Sequence, residues 1–157
     1  MIRPPMTDDL LMREALAEAM LGFAAGEVPV GAVVWLDGAI VGRGYNQPIG
    51  TRDPTAHAEV VAVREAARTV GNYRLTGATV CVTIEPCLMC VGALVHARVA
   101  RVVFGAAEPR AGALVSAVRA LEHPGLNHRF EVVGGVLADE CRAIVQVFFG
   151  ERREERV

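Results

Sequence analysis

His57 and Glu59 lie in "PTAHAEVVAVREA", and Cys87 and Cys90 lie in "EPCLMC". One imidazole and two thiols make a donor set that suits Zn²⁺. Three protein donors leave a fourth position open to water, the pattern of a catalytic zinc site rather than a structural one. A structural site would want a fourth protein donor. The spare candidates, His96, Cys81 and Glu85, lack the spacing of a familiar closed site. Glu59 then remains as a carboxylate free to move protons. Cys-x-x-Cys alone also serves as a redox pair, but that motif should follow the first strand of a βαβ unit. A lone Glu after a His is commonly just solvated. The combined pattern carries the reading.

The elements around these residues must aim them at one place. Pro86 suits the first position of a helix, where its missing N–H is not needed. Cys87 and Cys90 then share one face at i and i+3. A helix N-terminus favours negative charge and so favours thiolates there. His57 and Glu59 are two residues apart and would face different ways inside a helix. They can serve one cavity only if His57 stands at the helix entrance, and Asp53-Pro54-Thr55 supports a helix over about 55–69.

The remaining chain alternates helices and strands with no linker or repeat. Met12, Leu16, Ala19, Met20 and Phe23 recur at helical spacing over about 8–25, with Thr7 or Asp8 as a cap. "VGAVVWLDGAIVGRGYN" reads as two strands joined by an Asp37-Gly38 hairpin turn. "ATVCVT" and "ARVVFG" are strands flanking a helix at about 87–97. A strand at about 130–134 precedes a helix at about 137–153. On that helix Cys141, Ile144, Val145 and Phe148 share a face, which leaves Phe149 outward. Its acids Asp139 and Glu140 and its terminal Arg152 and Arg153 match the helix dipole.

Helical crossovers between strands predict an α/β fold, a three-layer α/β/α domain with a mixed five-stranded sheet covered by helices. One domain is expected over 1–157, with an ordered core of about 8–153. The segment from Gly105 to Arg129, with Pro109, Gly112, Pro124 and Gly125, is long enough to be a functional loop.

Composition narrows the function classes. Apolar residues make up 52% of the chain and charged residues 22%, which fits a packed core rather than disorder. Asp37, His96 and Arg98 interrupt the best apolar runs, so no membrane span is expected. "MIRPPMTDDL" lacks an apolar secretory core, so the expected location is cytoplasmic. The net charge of −2 does not announce a nucleic-acid binder, and any such contact needs a local patch such as "GERREERV". Every basic residue is Arg, which suits forked phosphate contacts, although a GC-rich genome produces the same bias. Cys81 and Cys141 read as buried, inert thiols.

His-x-Glu followed by Pro-Cys-x-x-Cys is the zinc-deaminase signature. "EVPVGAVV", "YNQPIGTRDPTAHAE", "NYRL", "EPCLMC", "RVVFGA", "HPGLNHR" and "GVLADEC" extend the likeness over about residues 10–155. The chain resembles the bacterial tRNA-specific adenosine deaminases, the TadA type, of the zinc-dependent cytidine/deoxycytidylate deaminase superfamily. That resemblance implies a cytidine-deaminase-like fold, a homodimer, and one Zn²⁺ per subunit on His57, Cys87 and Cys90. It implies conversion of wobble adenosine-34 to inosine in the anticodon stem-loop of an arginine tRNA. Zinc hydroxide would attack C6, Glu59 would shuttle protons, and ammonia would leave. The target base must be splayed out of its stack to be reached.

Substrate contacts are expected at several positions, each with a competing structural reading. Asn46 matches a polar contact of the family pocket, or is a turn residue before Pro48. Val30 and Ile84 form apolar pocket walls, or core. Asn127 holds RNA, or organises the turn after Gly125. Phe149 stacks a base while Arg152 and Arg153 grip phosphates, so that removing both arginines leaves zinc and fold intact and weakens RNA binding, or the arginines are a solvated helix end. Glu108-Pro109 stands where the family usually carries an Asp and no Pro. Glu108 keeps the charge with one more methylene and can still reach a ribose hydroxyl. Two rivals are a zinc deaminase of a free nucleobase or nucleoside, of the cytosine or guanine type, and a zinc module that only binds RNA. The "NHR" and "ADEC…FFGERREE" segments argue against the first, and Glu59 argues against the second.

Overall fold

The computed structural model describes residues 5–156. Met1–Pro4, part of the segment read as lacking a secretory core, and Val157, which ends the Arg-rich tail, lie outside the described residues. The sheet has five strands in the order β2-β1-β3-β4-β5. They are β1 (Gly31–Leu36), β2 (Ala39–Tyr45), β3 (Thr79–Ile84), β4 (Arg101–Ala106) and β5 (Glu131–Val133). β1 runs antiparallel to β2 and β3, while β3, β4 and β5 are mutually parallel. The sheet is therefore mixed, as the sequence predicts. Asp37 and Gly38 both take positive φ, 51° and 83°, which suits the two-residue hairpin turn.

Side chains alternate between the two faces of each strand, and here both sets are apolar. Val80, Val82, Val102 and Phe104 enter one core cluster. Cys81, Val103 and Val33 enter the other. Helices cover both faces. α3 (Ala58–Val70) and α4 (Leu88–His96) lie over the first cluster. α1 (Asp8–Ala24) and α5 (Ala138–Glu154) lie over the second. A four-residue α2 (Pro48–Thr51) and a 3-10 turn at Ala120–Glu122 add structure that the sequence reading did not anticipate. Among the described residues no helix is long and apolar enough to cross a membrane.

Helix starts differ from expectation in instructive ways. Thr7 is the cap of α1, its hydroxyl accepting from Leu10 N–H at 3.2 Å. Asp8 instead pairs with Arg101 on β4 at 2.6 Å. α3 begins at Ala58 rather than near residue 55. Asp53 holds residues 53–56 in a turn, with its carboxylate accepting from Thr55 N–H and its carbonyl from Ala56 N–H. α4 begins at Leu88, and Pro86 precedes its cap rather than occupying the first helical position. Glu85 N–H still donates to Ala106 carbonyl at 2.9 Å, so β3 pairing runs up to Glu85 and leaves Pro86 to the connecting turn. On α5, Phe148 is buried at 7% exposure and Phe149 is 44% exposed, as its periodicity predicts.

Glycine decides how closely α3 seats on β2. A methyl group on Gly44 would stand 2.7 Å from Ala62 N and 2.8 Å from Ala58 O. Gly42 faces the backbone of Ala62 and Ala66 in the same way. Helix backbone thus rests directly on strand backbone, and this fixes the start of α3 over the sheet. Gly44→Ala is expected to lift α3 and destabilise the protein by about 1–3 kcal/mol, the usual cost of overpacking. Gly150→Ala, on α5 with open space around it, is expected to stabilise by about 0.5–1 kcal/mol. Thermal or denaturant melts of the two variants check the pair.

Candidate active site

His57 and Cys87 occupy the same structural position on two helices. Each is the residue that caps its helix, α3 or α4, with extended backbone (φ −72°, ψ 154°; φ −78°, ψ 174°). Such positions favour Ser, Thr, Asp or Asn, whose side chains satisfy the first N–H groups. Neither His57 nor Cys87 makes a side-chain capping bond. Instead the His57 side chain reaches across to α4, and Cys87 lies beside Cys90 of its own helix. For α3 the missing cap comes from Asn46 at the end of β2, whose Oδ1 accepts from Ala58 N–H at 2.8 Å.

The two side chains meet. His57 Nδ1 is 3.6 Å from Cys87 Sγ and 3.5 Å from Cys90 Sγ. The three donor atoms all lie within 4.8 Å of one another. A tetrahedral zinc with Zn–S of about 2.3 Å and Zn–N of about 2.0–2.1 Å separates sulfur from nitrogen by roughly 3.5 Å. The observed spacing and the mixed sulfur–nitrogen chemistry both fit zinc. His57, Cys87 and Cys90 are thus placed to hold Zn²⁺ with one position left open.

Electrostatics favour the same outcome. The positive ends of α3 and α4 both face the cluster. The Cys87 thiol is brought down to about 4 by the hydrogen bond from Cys90 and then by that from His57. Cys90 is pushed up, because it gives its hydrogen bond to Cys87 and is buried. His57 is raised, chiefly by its hydrogen bond to Cys87. One thiolate is therefore favoured, and a metal held by both sulfurs would require loss of the second thiol proton.

Glu59 sits beside these donors without belonging to their set. It is 4% exposed. Burial raises its carboxyl above the usual carboxylate range, against its own backbone N–H, Cys90 and His57, which pull it down. A carboxyl raised in this way is suited to accepting and returning a proton near neutral pH.

The other residues expected at the site are scattered more widely. Val30 joins the cluster beneath α3 and α4, whereas Ile84 joins the one beneath α1 and α5. Asn127 is exposed, and its Oδ1 accepts from Arg98 Nη1 at 2.9 Å. Glu108 Oε1 accepts from Arg110 N–H at 2.9 Å. Arg152 is not a free helix end: Nη2 donates to Gly26 carbonyl at 2.6 Å, and its guanidinium lies 4.9 Å from the Phe148 ring centre. These contacts tie α5 to the end of α1, so Arg152 has packing partners that the sequence did not reveal. Arg153 is exposed, and its side chain has no hydrogen-bond partner among the described residues.

Two of the other buried carboxylates, Glu27 and Glu85, collect backbone N–H groups that the sequence did not reveal. Glu27 accepts from Ile49 N–H at 3.2 Å and Gly50 N–H at 2.7 Å, and so holds α2. Glu85, weighed only as a spare metal donor, accepts from Glu108, Leu114, Val115 and Ser116 N–H groups and from the Ser116 hydroxyl. Burial pushes its carboxyl up, but the bonds from Ser116, Val115 and Glu108 outweigh that and hold it below the usual range. The one local signal was a charged residue set in apolar sequence, "GEVPVG" and "VTIEPC". The partners lie 22–31 residues away.

Residues 5–106 match the cytidine and deoxycytidylate deaminase zinc-binding region. The tRNA-specific adenosine deaminase of Haemophilus influenzae is 47% identical over 150 residues, which cover 95% of this chain and 87% of that protein. A solved structure from studies of A-to-I editing by tRNA:A34 deaminases at the wobble position matches with a TM-score of 0.83 and 40% identity. That match covers 85% of this chain and 97% of the other. A guanine deaminase of Bacillus subtilis matches with a TM-score of 0.62 and 39% identity over 65% of this chain and 66% of its own. Because the Haemophilus influenzae likeness covers 95% of the chain and so runs past the zinc region into the long loop and α5, the chain belongs to the tRNA-specific adenosine deaminases within the cytidine and deoxycytidylate deaminase family.

Proposed function

We propose that this chain converts wobble adenosine-34 of an arginine tRNA anticodon to inosine, with water as co-substrate and ammonia as the second product. The observation that carries the chemistry is Glu59, buried beside a three-donor metal set yet not one of its ligands. The choice of a tRNA over a free base is supported by identity sustained over the chain, 47% over 95% of it for a tRNA deaminase, against 39% over 65% for one guanine deaminase and 21% over 93% for another.

Zinc held by His57, Cys87 and Cys90 supplies the activation of water that hydrolysis at neutral pH requires. Glu59 accepts a proton from that water and delivers protons to the ring nitrogen and the departing amine. Water oxygen ends on C6 and the amino group leaves as ammonia. Asn46 has its Oδ1 committed to Ala58, which leaves its amide NH₂ to hold a polar edge of the base. Val30 and Ile84 are the expected apolar walls, and Glu108 and Asn127 the expected polar contacts at the rim. Phe149 stacks a neighbouring base, and Arg153 meets phosphate.

The chain acts as one cytoplasmic domain over 1–157 and pairs as a homodimer. Supporting the dimer is an apolar groove of about 510 Å³ between α4 and residues 118–126, lined by Leu88, Val91, Val95, Val118 and Leu126.

The direct test is incubation of zinc-loaded protein with arginine tRNA, an anticodon stem-loop and free bases and nucleosides, followed by nucleoside analysis. Inosine at the wobble position is expected in the RNA, and preferential turnover of a free base or nucleoside contradicts the reading. Glu59→Gln is expected to keep one zinc per chain while turnover falls by about 10²–10⁴-fold, as for a lost general acid–base group. Cys87→Ala is expected to lose metal and activity together, read by metal analysis and by the same assay.

The arginines separate by their contacts. Arg153→Ala is expected to leave the melting temperature unchanged and to weaken tRNA binding, with the log–log salt slope falling by about 0.7 for each lost single-strand phosphate contact. Arg152→Ala is expected to lower the melting temperature as well, since it releases Gly26 and uncovers Phe148. Affinity at several salt concentrations, beside a melt of each variant, distinguishes them.

A further inference from the structure

Glu85 is 3% exposed and ends the stretch that pairs with β4, one residue before Pro86. Its two oxygens collect five donors from a single loop. Oε1 accepts from Glu108 N–H at 3.1 Å and from the Ser116 hydroxyl. Oε2 accepts from Leu114, Val115 and Ser116 N–H at 3.1, 2.8 and 3.0 Å. A buried carboxylate is costly unless its lone pairs are filled, and here the loop fills them. The loop folds closely around it, because a methyl group on Gly112 would collide with the Glu85 carboxylate. Ala113 N–H donates to Pro86 carbonyl at 2.8 Å, which adds a sixth tie beside the metal ligand Cys87.

The tripeptide Glu85-Pro86-Cys87 thus carries a loop clamp at one end and a metal ligand at the other, with the restricted backbone of proline between them. The clamped loop begins at Glu108, whose own N–H is held by Glu85 and whose carboxylate turns back only to Arg110 N–H. Most of the loop's outer surface, Ala107, Pro109, Arg110, Ala111 and Val115, is exposed. The clamp therefore fixes this loop relative to the metal centre, with Ala113 and Leu114 on its inner side joining the core beneath α3 and α4 and its outer side facing solvent.

We propose that Glu85 is a positioning residue for the substrate, setting Glu108 at a fixed place relative to Cys87 so that the nucleotide held at the loop presents its base to the metal site. This rests on the tRNA deaminase reading above. Glu85 touches neither base nor metal in this account and acts through the 107–116 loop. Its loss removes binding shared by ground state and transition state, so KM changes more than kcat.

The test is a double-mutant cycle on the anticodon stem-loop with Glu85→Gln, Glu108→Ala and the double variant, each assayed for zinc content, kcat and KM. Glu85→Gln keeps the shape but places an NH₂ where donors converge. The expected result is full zinc occupancy and a KM raised about tenfold with kcat within about threefold, the signature of lost ground-state binding. Glu108→Ala is expected to raise KM similarly, and the double variant no further, because residues acting through one contact are not additive. A purely structural role would instead lower zinc content or add fully to Glu108→Ala, and either result overturns the proposal. An unchanged KM in Glu85→Gln overturns it too. If Glu85→Gln fails to fold, Ser116→Ala removes one of the five donors and carries the same cycle, with the same non-additive rise in KM expected and an additive or absent rise overturning it. Absence of stem-loop turnover by the unaltered protein overturns the functional reading and this proposal with it. Normal turnover with additive or absent effects overturns the proposal alone.

Discussion

His57 and Cys87 begin two helices whose positive ends face one another across the metal donors, and the rest of the chain is arranged around that meeting. Giving a capping position to His or Cys forgoes a side-chain cap that is usually worth about 0.5–2 kcal/mol. What is gained is a pair of donors at two helix starts, 3.6 Å apart, in a field that favours thiolate. On α3 the lost cap is restored from outside by Asn46. The same helix start accounts for Glu59: only at the first turn can a residue two positions from His57 reach the same cavity.

The sheet sets where those helices begin. β3, α4 and β4 form a parallel crossover, and α4 starts just past the carboxyl end of β3, the place where open α/β sheets commonly hold ligands. α3 is held at a short distance from β2 because Gly42 and Gly44 carry no side chain between helix and strand. Around this scaffold the irregular segments are tied by buried carboxylates. Glu27 holds α2, and Glu85 holds the loop that follows β4. Function is thus carried on helix ends and loops that are irregular in backbone yet fully bonded, with no buried side-chain polar atom lacking a partner among the described residues.

The chemistry of the centre was legible in the sequence because it depends on residue types at short spacing. His57, Glu59, Cys87 and Cys90 need two helix starts, and Asp53-Pro54-Thr55 and Pro86 announced both within a few residues. The five strands were legible because each carries β-rich apolar sequence between turn signals. The division of Phe148 from Phe149 followed from periodicity alone. Helix boundaries were less so: Pro86 reads as a first helical residue until the β3 pairing at Glu85 is known. The packing of Arg152 was hidden because its partner, Gly26, lies 126 residues away. The backbone partners of Glu27, Asn46 and Glu85 were not legible for the same reason. Each satisfies backbone N–H groups from a distant segment, and no local pattern records which N–H groups a fold will leave unpaired.

Zinc X-ray absorption on the metal-loaded protein tests the arrangement most directly, because it reads the donor set without reference to any substrate. The account predicts two sulfur neighbours at about 2.3 Å, one imidazole nitrogen at about 2.0–2.1 Å and one further light atom from exchangeable solvent. The same spectrum is predicted when Glu59 is replaced by Gln, since Glu59 is outside the donor set. A third sulfur, a fourth protein donor, or a donor lost with Glu59 would contradict the open three-ligand centre built on the starts of α3 and α4.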